Sequence, residues 1–403
     1  MNSAVLALII TILIQALISL AALTAPVLAP VVEQDISISA TQVGIFVALI
    51  YVAAMLSSLC SGDFIMRYGA IRVSQACLAF CAAGLALGTL GTPLTLVLSA
   101  LLIGCGYGPI TPASSHVLAR STPAHLMGFV FSLKQTGVPL GGALAGILLP
   151  PFVTWWSWRT AAFIVAFSCL AMILLSQPLR LAFDNDRDQK RRLAVGSAFR
   201  PLALVLANQR IRELAICTTF FSVMQLCLTT YLVIFLTKSH GLSLASAGLI
   251  LFVAQTAGIL GRLAWGAVAD RWFAPRNVLA ALALGIGVCS VLLALTPSSW
   301  PLWIITVLCA AFGATAIGWN GVYLAEVARL SPSGQAGLFT GGSLFFTYLG
   351  VVTGPPLFAI LVESTGSFSI GYGLLGLAIS LVAVWLTYSA VKEYRTSDAS
   401  HQT

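Results

Sequence analysis

Three charged side chains stand inside long apolar stretches of the chain or directly at their end: Lys134 in SLKQTGVPLGG, Arg262 in GILGRLAWG and Glu326 in VYLAEVARL. A charge at the centre of a hydrocarbon layer costs about 2.5 to 3.5 kcal/mol on insertion scales, so such residues are candidates for function. Lys134 lies roughly 8 residues, or about 12 Å, into its stretch, and no Asp or Glu occurs inside the apolar stretches of the first half. An ammonium so placed needs water, main-chain carbonyls or a negative partner. Two readings stay open: Lys134 receives the negative group of a bound solute, or it snorkels or pairs with Glu326.

Around Lys134 the pattern suits a cavity wall. Gln135 and Thr136 continue a polar patch, and Gly137, Pro139, Gly141 and Gly142 can thin or bend a helix. Further polar side chains recur at comparable depth: Gln15, Thr111, His116, Gln225, Tyr231, Gln255, Asn320, Tyr323 and Tyr348. Each can touch a solute or join two helices by a hydrogen bond. The candidate solute-binding set is Lys134, Gln135, Asn320, Thr111, Gln15, Gln225 and Tyr323. Arg262 and Glu326 lie within about one turn of the ends of their stretches, where they can pair with each other or with Asp270 and Arg271. Glu326 can alternatively carry a proton, and His116 either packs or takes part in proton transfer or gating.

The elements that must position these groups follow from composition. The 403 residues are 59% hydrophobic and only 8% charged, with mean hydropathy +0.99; a water-soluble domain carries about 25% charged residues. Twelve apolar stretches are long enough to cross a membrane as helices: 4–30, 41–62, 73–91, 95–117, 126–150, 159–177, 213–237, 243–266, 277–296, 301–325, 335–362 and 369–390. Strands of a barrel would alternate polar and apolar residues, and runs such as LALIITILIQALISLAAL do not. The first stretch is too long for a signal peptide and lacks a basic start, so it belongs with the mature helices.

Sixteen of the twenty Lys and Arg residues fall on one side when the N-terminus is placed in the cytoplasm, as short basic loops require. Both termini are then cytoplasmic, in a bacterial inner membrane. The net charge of +8 is accounted for by topology, and no nucleic-acid partner is implied. Nine cysteines sit in or at the ends of the stretches, as packing thiols. No residue pattern calls for a metal or cofactor.

One long polar segment, 178–212 with DNDRDQKRR, divides the chain into six stretches and six. The expected organisation is an N-terminal half 1–177, a cytoplasmic linker 178–212, a C-terminal half 213–390 and a tail 391–403. Internal repetition supports it. Ser39, Gly44, Gly62, Arg67 and Arg72 recur as Ser243, Gly248, Gly266, Arg271 and Arg276 at an offset of 204, and ARSTPAHLMG from Ala119 matches ARLSPSGQAG from Ala328 at 209. The second offset makes Thr111 and Asn320 equivalent.

The segment from Gly62 through Arg67 to Gly69, and its partner Gly266-Ala267-Val268-Ala269-Asp270-Arg271, resemble the loop signature G-x-x-x-D-R-x-G of the major facilitator superfamily. The chain is loosely similar to the cyanate and nitroimidazole permease group within it. Met66 stands where the family has Asp, which leaves the first acidic latch missing or moved to Asp63. The resemblance implies an all-α integral membrane fold of twelve transmembrane helices in two six-helix halves. It also implies a gating role for Gly62, Arg67, Arg262, Gly266, Asp270, Arg271 and Glu326, with the two glycines permitting close helix approach.

The function expected is that of a secondary transporter moving a small organic solute, an organic anion or carboxylate, by alternating access. A multidrug or metabolite exporter of the same fold is the alternative. No nucleotide-binding G-x-x-x-x-G-K-[ST] loop occurs, and neither an enzyme nor a cofactor is expected. Protons, coupled through Glu326 or His116, and membrane lipid are the other expected partners of a monomer.

Overall fold

The structure, a computed structural model, describes residues 3–36, 38–122, 127–188, 200–297, 299–332 and 336–401. The Gln189–Arg192 end of the polar run, His125 and the side chain of Cys60 lie outside the described residues. Every regular element among those described is helical, and twelve helical segments are long and apolar enough to cross a membrane. That is the all-α, twelve-span architecture expected: each helix closes its own backbone hydrogen bonds, as hydrocarbon demands. Large apolar side chains such as Phe167, Leu174 and Leu381 are more than 70% exposed, which water would not tolerate over so many helices and lipid does.

In chain order the helices are α1 (Ser3–Ile36), α2 (Ala40–Tyr68), α3 (Ala70–Gly88), α4 (Pro93–Ser121), α5 (Met127–Gln135), α6 (Gly137–Trp155), α7 (Trp158–Ser176) and α8 (Arg180–Phe183). After these come α9 (Arg200–Ala207), α10 (Gln209–His240), α11 (Leu244–Arg271), α12 (Pro275–Ala294), α13 (Leu302–Ala316), α14 (Asn320–Leu330), α15 (Ala336–Thr365) and α16 (Phe368–His401). Sequence cues mark several starts. Ser39 with Gln42 and Thr92 with Thr95 form reciprocal capping boxes on α2 and α4. Gly69 separates α2 from α3 at φ 97°, a conformation that L side chains rarely adopt.

Three details depart from the sequence reading. The fifth span is two helices, α5 and α6, interrupted at Thr136; the tenth is α13 and α14, interrupted at residues 317–319. Both interruptions fall beside the polar residues singled out above, where main-chain groups leave the regular ladder. The described parts of the expected linker 178–212 also hold helical structure. A 3-10 turn (Gln177–Leu179) and α8 open it, α9 lies near its end, and Val205 of α9 is fully buried.

The chain forms two compact units. The first comprises residues 1–198 with 229–252 and 355–359; the second comprises 199–228, 253–354 and 360–403. Within the first, α3 and α2 pack on α4, α1 packs on α6, and α7 packs on α3. The second half of α10 joins this unit, where Tyr231 Oη donates to the Pro355 carbonyl at 2.8 Å and Lys238 pairs with Glu33 at 2.6 Å. Within the second unit α12 packs chiefly against α16 and α13.

Candidate functional site

Lys134, the penultimate residue of α5, is 1% exposed. Its ammonium donates to the main-chain carbonyl of Thr111 on α4 at 3.3 Å. No described carboxylate pairs with it. Thr111 therefore serves Lys134 through its backbone oxygen, which also accepts from Ser114 Oγ at 3.0 Å. One carbonyl shared with a hydroxyl is thin compensation for a buried cation, which ordinarily keeps its charge inside a protein by pairing.

Gln15 and Gln135 complete this cluster in the first unit. Gln15 of α1, 2% exposed, donates through Nε2 to Gln135 Oε1 at 3.4 Å. Its own Oε1 is buried with no donor among the described residues, and a buried acceptor left so costs about 1–3 kcal/mol. The α1–α6 contact that sets the position of Gln15 rests on small residues: a Cβ added at Gly141 would strike the Ala16 carbonyl and Ser19. Ser19 Oγ then donates to the Val138 carbonyl at 2.8 Å. The polar run after Lys134 thus lies against α1 because glycine allows the backbones to meet.

The second unit holds a neutral cluster. Gln225 Oε1 on α10 accepts from Trp319 Nε1 at 3.0 Å and from Asn320 Nδ2 at 3.1 Å. Trp319, 1% exposed, packs on Phe221 and Tyr323 with ring centroids 5.3 and 5.6 Å away. Tyr323 is buried, and its hydroxyl has no hydrogen-bond partner among the described residues. The interruption of the tenth span exposes main-chain oxygens, and α11 answers them. Arg262 Nε donates to the Ile317 carbonyl at 3.0 Å, and Trp265 Nε1 to the Ala314 carbonyl at 3.0 Å. Arg262 thereby fixes the break that starts α14 at Asn320.

Among the candidate gating residues, Glu326 is fully buried and accepts a bidentate pair from Arg329 at 2.7 and 2.6 Å. Asp270 and Arg271 are exposed, and Arg67 lies over the Tyr68 ring at 5.5 Å. The two glycines require a correction: a Cβ at Gly62 or Gly266 would meet no atom within 4 Å, so close helix approach does not account for them in this arrangement. The glycines that do sit at close contacts include Gly104, Gly108 and Gly141.

His116 is tied to the segment that follows α8. Its Nε2 lies 2.6 Å from Asp186 Oδ2, and Arg120 reaches Asp186 Oδ1 at 2.7 Å and Asn185 at 2.8 Å. Asp184, 4% exposed, accepts the amide N–H groups of Ile71 and Arg72 at 2.8 and 3.1 Å and so caps α3. Burial raises its carboxyl above the ordinary range, against the lowering effect of those two amides and of Arg180. The expectation of a cytoplasmic linker over 178–212 assigns these aspartates no role. Their spacing in DNDRD at positions 184, 186 and 188 is the signal, since Asp at the end of one helix readily caps the start of another.

The eight described cysteines outside Cys60 are free thiols, and no group of His, Cys, Asp or Glu suited to a metal occurs among the described residues.

Against known proteins, the family model described as Major Facilitator Superfamily matches residues 7–343. The hexuronate transporter of Bacillus subtilis (strain 168) is 23% identical over 370 residues, 86% of this chain and 85% of that one. The gallate transporter of Pseudomonas putida is 26% identical, over 80% and 79% of the two chains. The fosmidomycin resistance protein of Escherichia coli (strain K12) is 24% identical, over 89% and 82%. A crystal structure of a bacterial homologue of the human lysosomal transporter Spinster superposes with a TM-score of 0.70 over 96% of each chain, at 16% identity.

Proposed function

The chain belongs to the major facilitator superfamily and is a multi-pass membrane transporter, and from that premise we propose that it carries a small organic anion of the carboxylate class, with Lys134 as the cation that receives it. The carrying observation is the Lys134 ammonium, 1% exposed and held by one main-chain carbonyl. A carboxylate docked on it would replace that thin compensation with a charge-assisted hydrogen bond. The buried Gln15 Oε1 offers an acceptor to a hydroxyl of the same solute. Hexuronate and gallate, which name two of the relatives, are both carboxylates.

Gln135 and Thr111 belong to this site as neighbours that set the position of Lys134 and Gln15. Gln225, Asn320 and Tyr323 form a neutral polar cluster within the second unit, a candidate for solute contact in its own right. Movement by alternating access in a bacterial inner membrane, with both termini cytoplasmic, completes the proposal. Glu326 and Arg329, with Arg262, Asp270, Arg271, Gly62, Gly266 and Arg67, are assigned to gating. Proton coupling, if the transport is concentrative, falls to Glu326 or to His116 with Asp186.

Uptake of radiolabelled hexuronates and aromatic carboxylates into proteoliposomes tests the reading. Lys134→Gln should reduce anion uptake at least tenfold, and unchanged uptake by that variant would remove Lys134 from the site. The likeness to a fosmidomycin resistance protein favours a second reading, an exporter. Raised drug tolerance of overexpressing cells, without carboxylate uptake, would establish it instead.

A further inference from the structure

A cavity of about 700 Å³ lies on the first unit between α2, α3, α4 and α7, with Arg72 and Tyr68 at one end and Ala76, Phe80 and Ile173 among its apolar walls. Arg72 and Phe80 are eight residues apart on α3, which spaces the charged and apolar ends by about 12 Å. Tyr68, Arg72, Ala76 and Phe80 are all exposed, so the cavity opens between helices onto the surface of this unit.

The internal repeat shows what is unusual about Arg72. Its counterpart, Arg276, is 2% exposed and bound to Glu213 at 3.0 Å and Ser389 at 2.6 Å. Arg72 occupies the same repeat position, yet among the described residues its guanidinium reaches Gln75 Oε1, at 3.3 Å, and no carboxylate. The nearby Asp184 is engaged by the main-chain amides of Ile71 and Arg72 and by Arg180 at 3.8 Å. Arg67, over the Tyr68 ring, brings a second positive group near the same end. One unit thus answers the arginine with an internal carboxylate, while the other leaves it at the mouth of an apolar cavity.

We propose that this cavity holds an acyl chain of an anionic phospholipid whose phosphate pairs with Arg72. Basic pockets between transmembrane helices select lipid head groups in this way, and the apolar depth adds burial of the chain, methylene by methylene. A soluble anion would gain the pair with Arg72 but nothing from Ala76, Phe80 and Ile173.

Native mass spectrometry of the full chain in mild detergent, with phosphatidylglycerol and phosphatidylcholine of identical acyl chains, tests this. The unaltered protein should retain phosphatidylglycerol about fivefold in preference, near the value of one basic residue at a membrane surface. Arg72→Gln should bring the ratio close to one. Ala76→Trp, which fills the cavity from α3, should lower retention of both lipids. Equal retention by the unaltered protein, an undiminished preference in Arg72→Gln, or undiminished binding in Ala76→Trp would each overturn the proposal. Displacement of phosphatidylglycerol by inorganic phosphate at equal concentration would overturn it too, by assigning Arg72 to free phosphate.

Discussion

The Lys134 ammonium and the Thr111 carbonyl lie 3.3 Å apart, joining α5 to α4 through a side chain on one helix and a backbone atom on the other. A cation satisfied in this way is poised between structure and function: the scaffold tolerates it, and a solute can improve it. Stability and transport should therefore respond to its loss in opposite senses. Lys134→Met removes the desolvation of a buried charge. Its midpoint of thermal unfolding in detergent should stay level or rise, while anion uptake is lost. A marked fall in the midpoint would show that the ammonium holds the fold.

The Gln225 acceptor serves two donors, so its removal should be felt at both. Gln225→Ala leaves Trp319 Nε1–H buried without an acceptor, at a cost of about 1–3 kcal/mol. Trp319→Phe in the same background should add less than it does alone, because the donor is already orphaned. Chemical unfolding of the two single variants and the double variant measures this; strict additivity would show that the hydrogen bond carries no coupling.

Glu326 and Arg329 differ in burial, at 0% and 55% of side-chain exposure. Removing the arginine strands a carboxylate with no access to water, whereas neutralising the acid frees an arginine that water can reach. Arg329→Ala should therefore destabilise more than Glu326→Gln. Melting curves of the two variants check the order.

Asp184 gives a pH dependence of definite sign. Burial raises its carboxyl above the unfolded value of about 3.9, so the folded state holds this proton more tightly than the unfolded chain. The contribution of Asp184 to stability is then greatest in acid and declines as pH rises through the raised folded value. Asp184→Asn keeps an acceptor for one of the two α3 amides and should flatten this part of the pH–stability curve. Asp184→Ala should lose the cap as well, at about 0.5–2 kcal/mol.

The glycines separate into two classes that alanine can distinguish. Gly141→Ala forces a methyl group into the Ala16 carbonyl on α1 and should cost about 1–3 kcal/mol. Gly62→Ala and Gly266→Ala meet open space, so their stability should be unchanged or slightly raised, since alanine favours a helix interior. A transport defect in either, at full stability, would place their role in the transport cycle.

Much of the molecule was legible without coordinates, for a local reason. Hydrocarbon accepts only backbones that satisfy themselves, so a run of about 20 apolar residues is already a helix. The stretches 4–30 and 73–91, read from composition alone, fall on the helical segments 5–36 and 70–88. The same economy of charge singled out Lys134, because a lone ammonium among apolar neighbours is conspicuous in any arrangement of the helices.

Partners were another matter, since they depend on which helices meet. The acceptor for Lys134 is a main-chain oxygen, which every residue has and no sequence pattern marks. Asp184 and Asp186 lie in a run that resembles a solvated linker, and only the packing of that run against α3 and α4 turns one into a cap and the other into the partner of His116. Arg72 and Arg276 are the same residue at equivalent repeat positions. Tertiary structure alone decides that Arg276 is buried against Glu213 while Arg72 stands at a cavity mouth, because burial and charge pairing are set by neighbours distant in the chain.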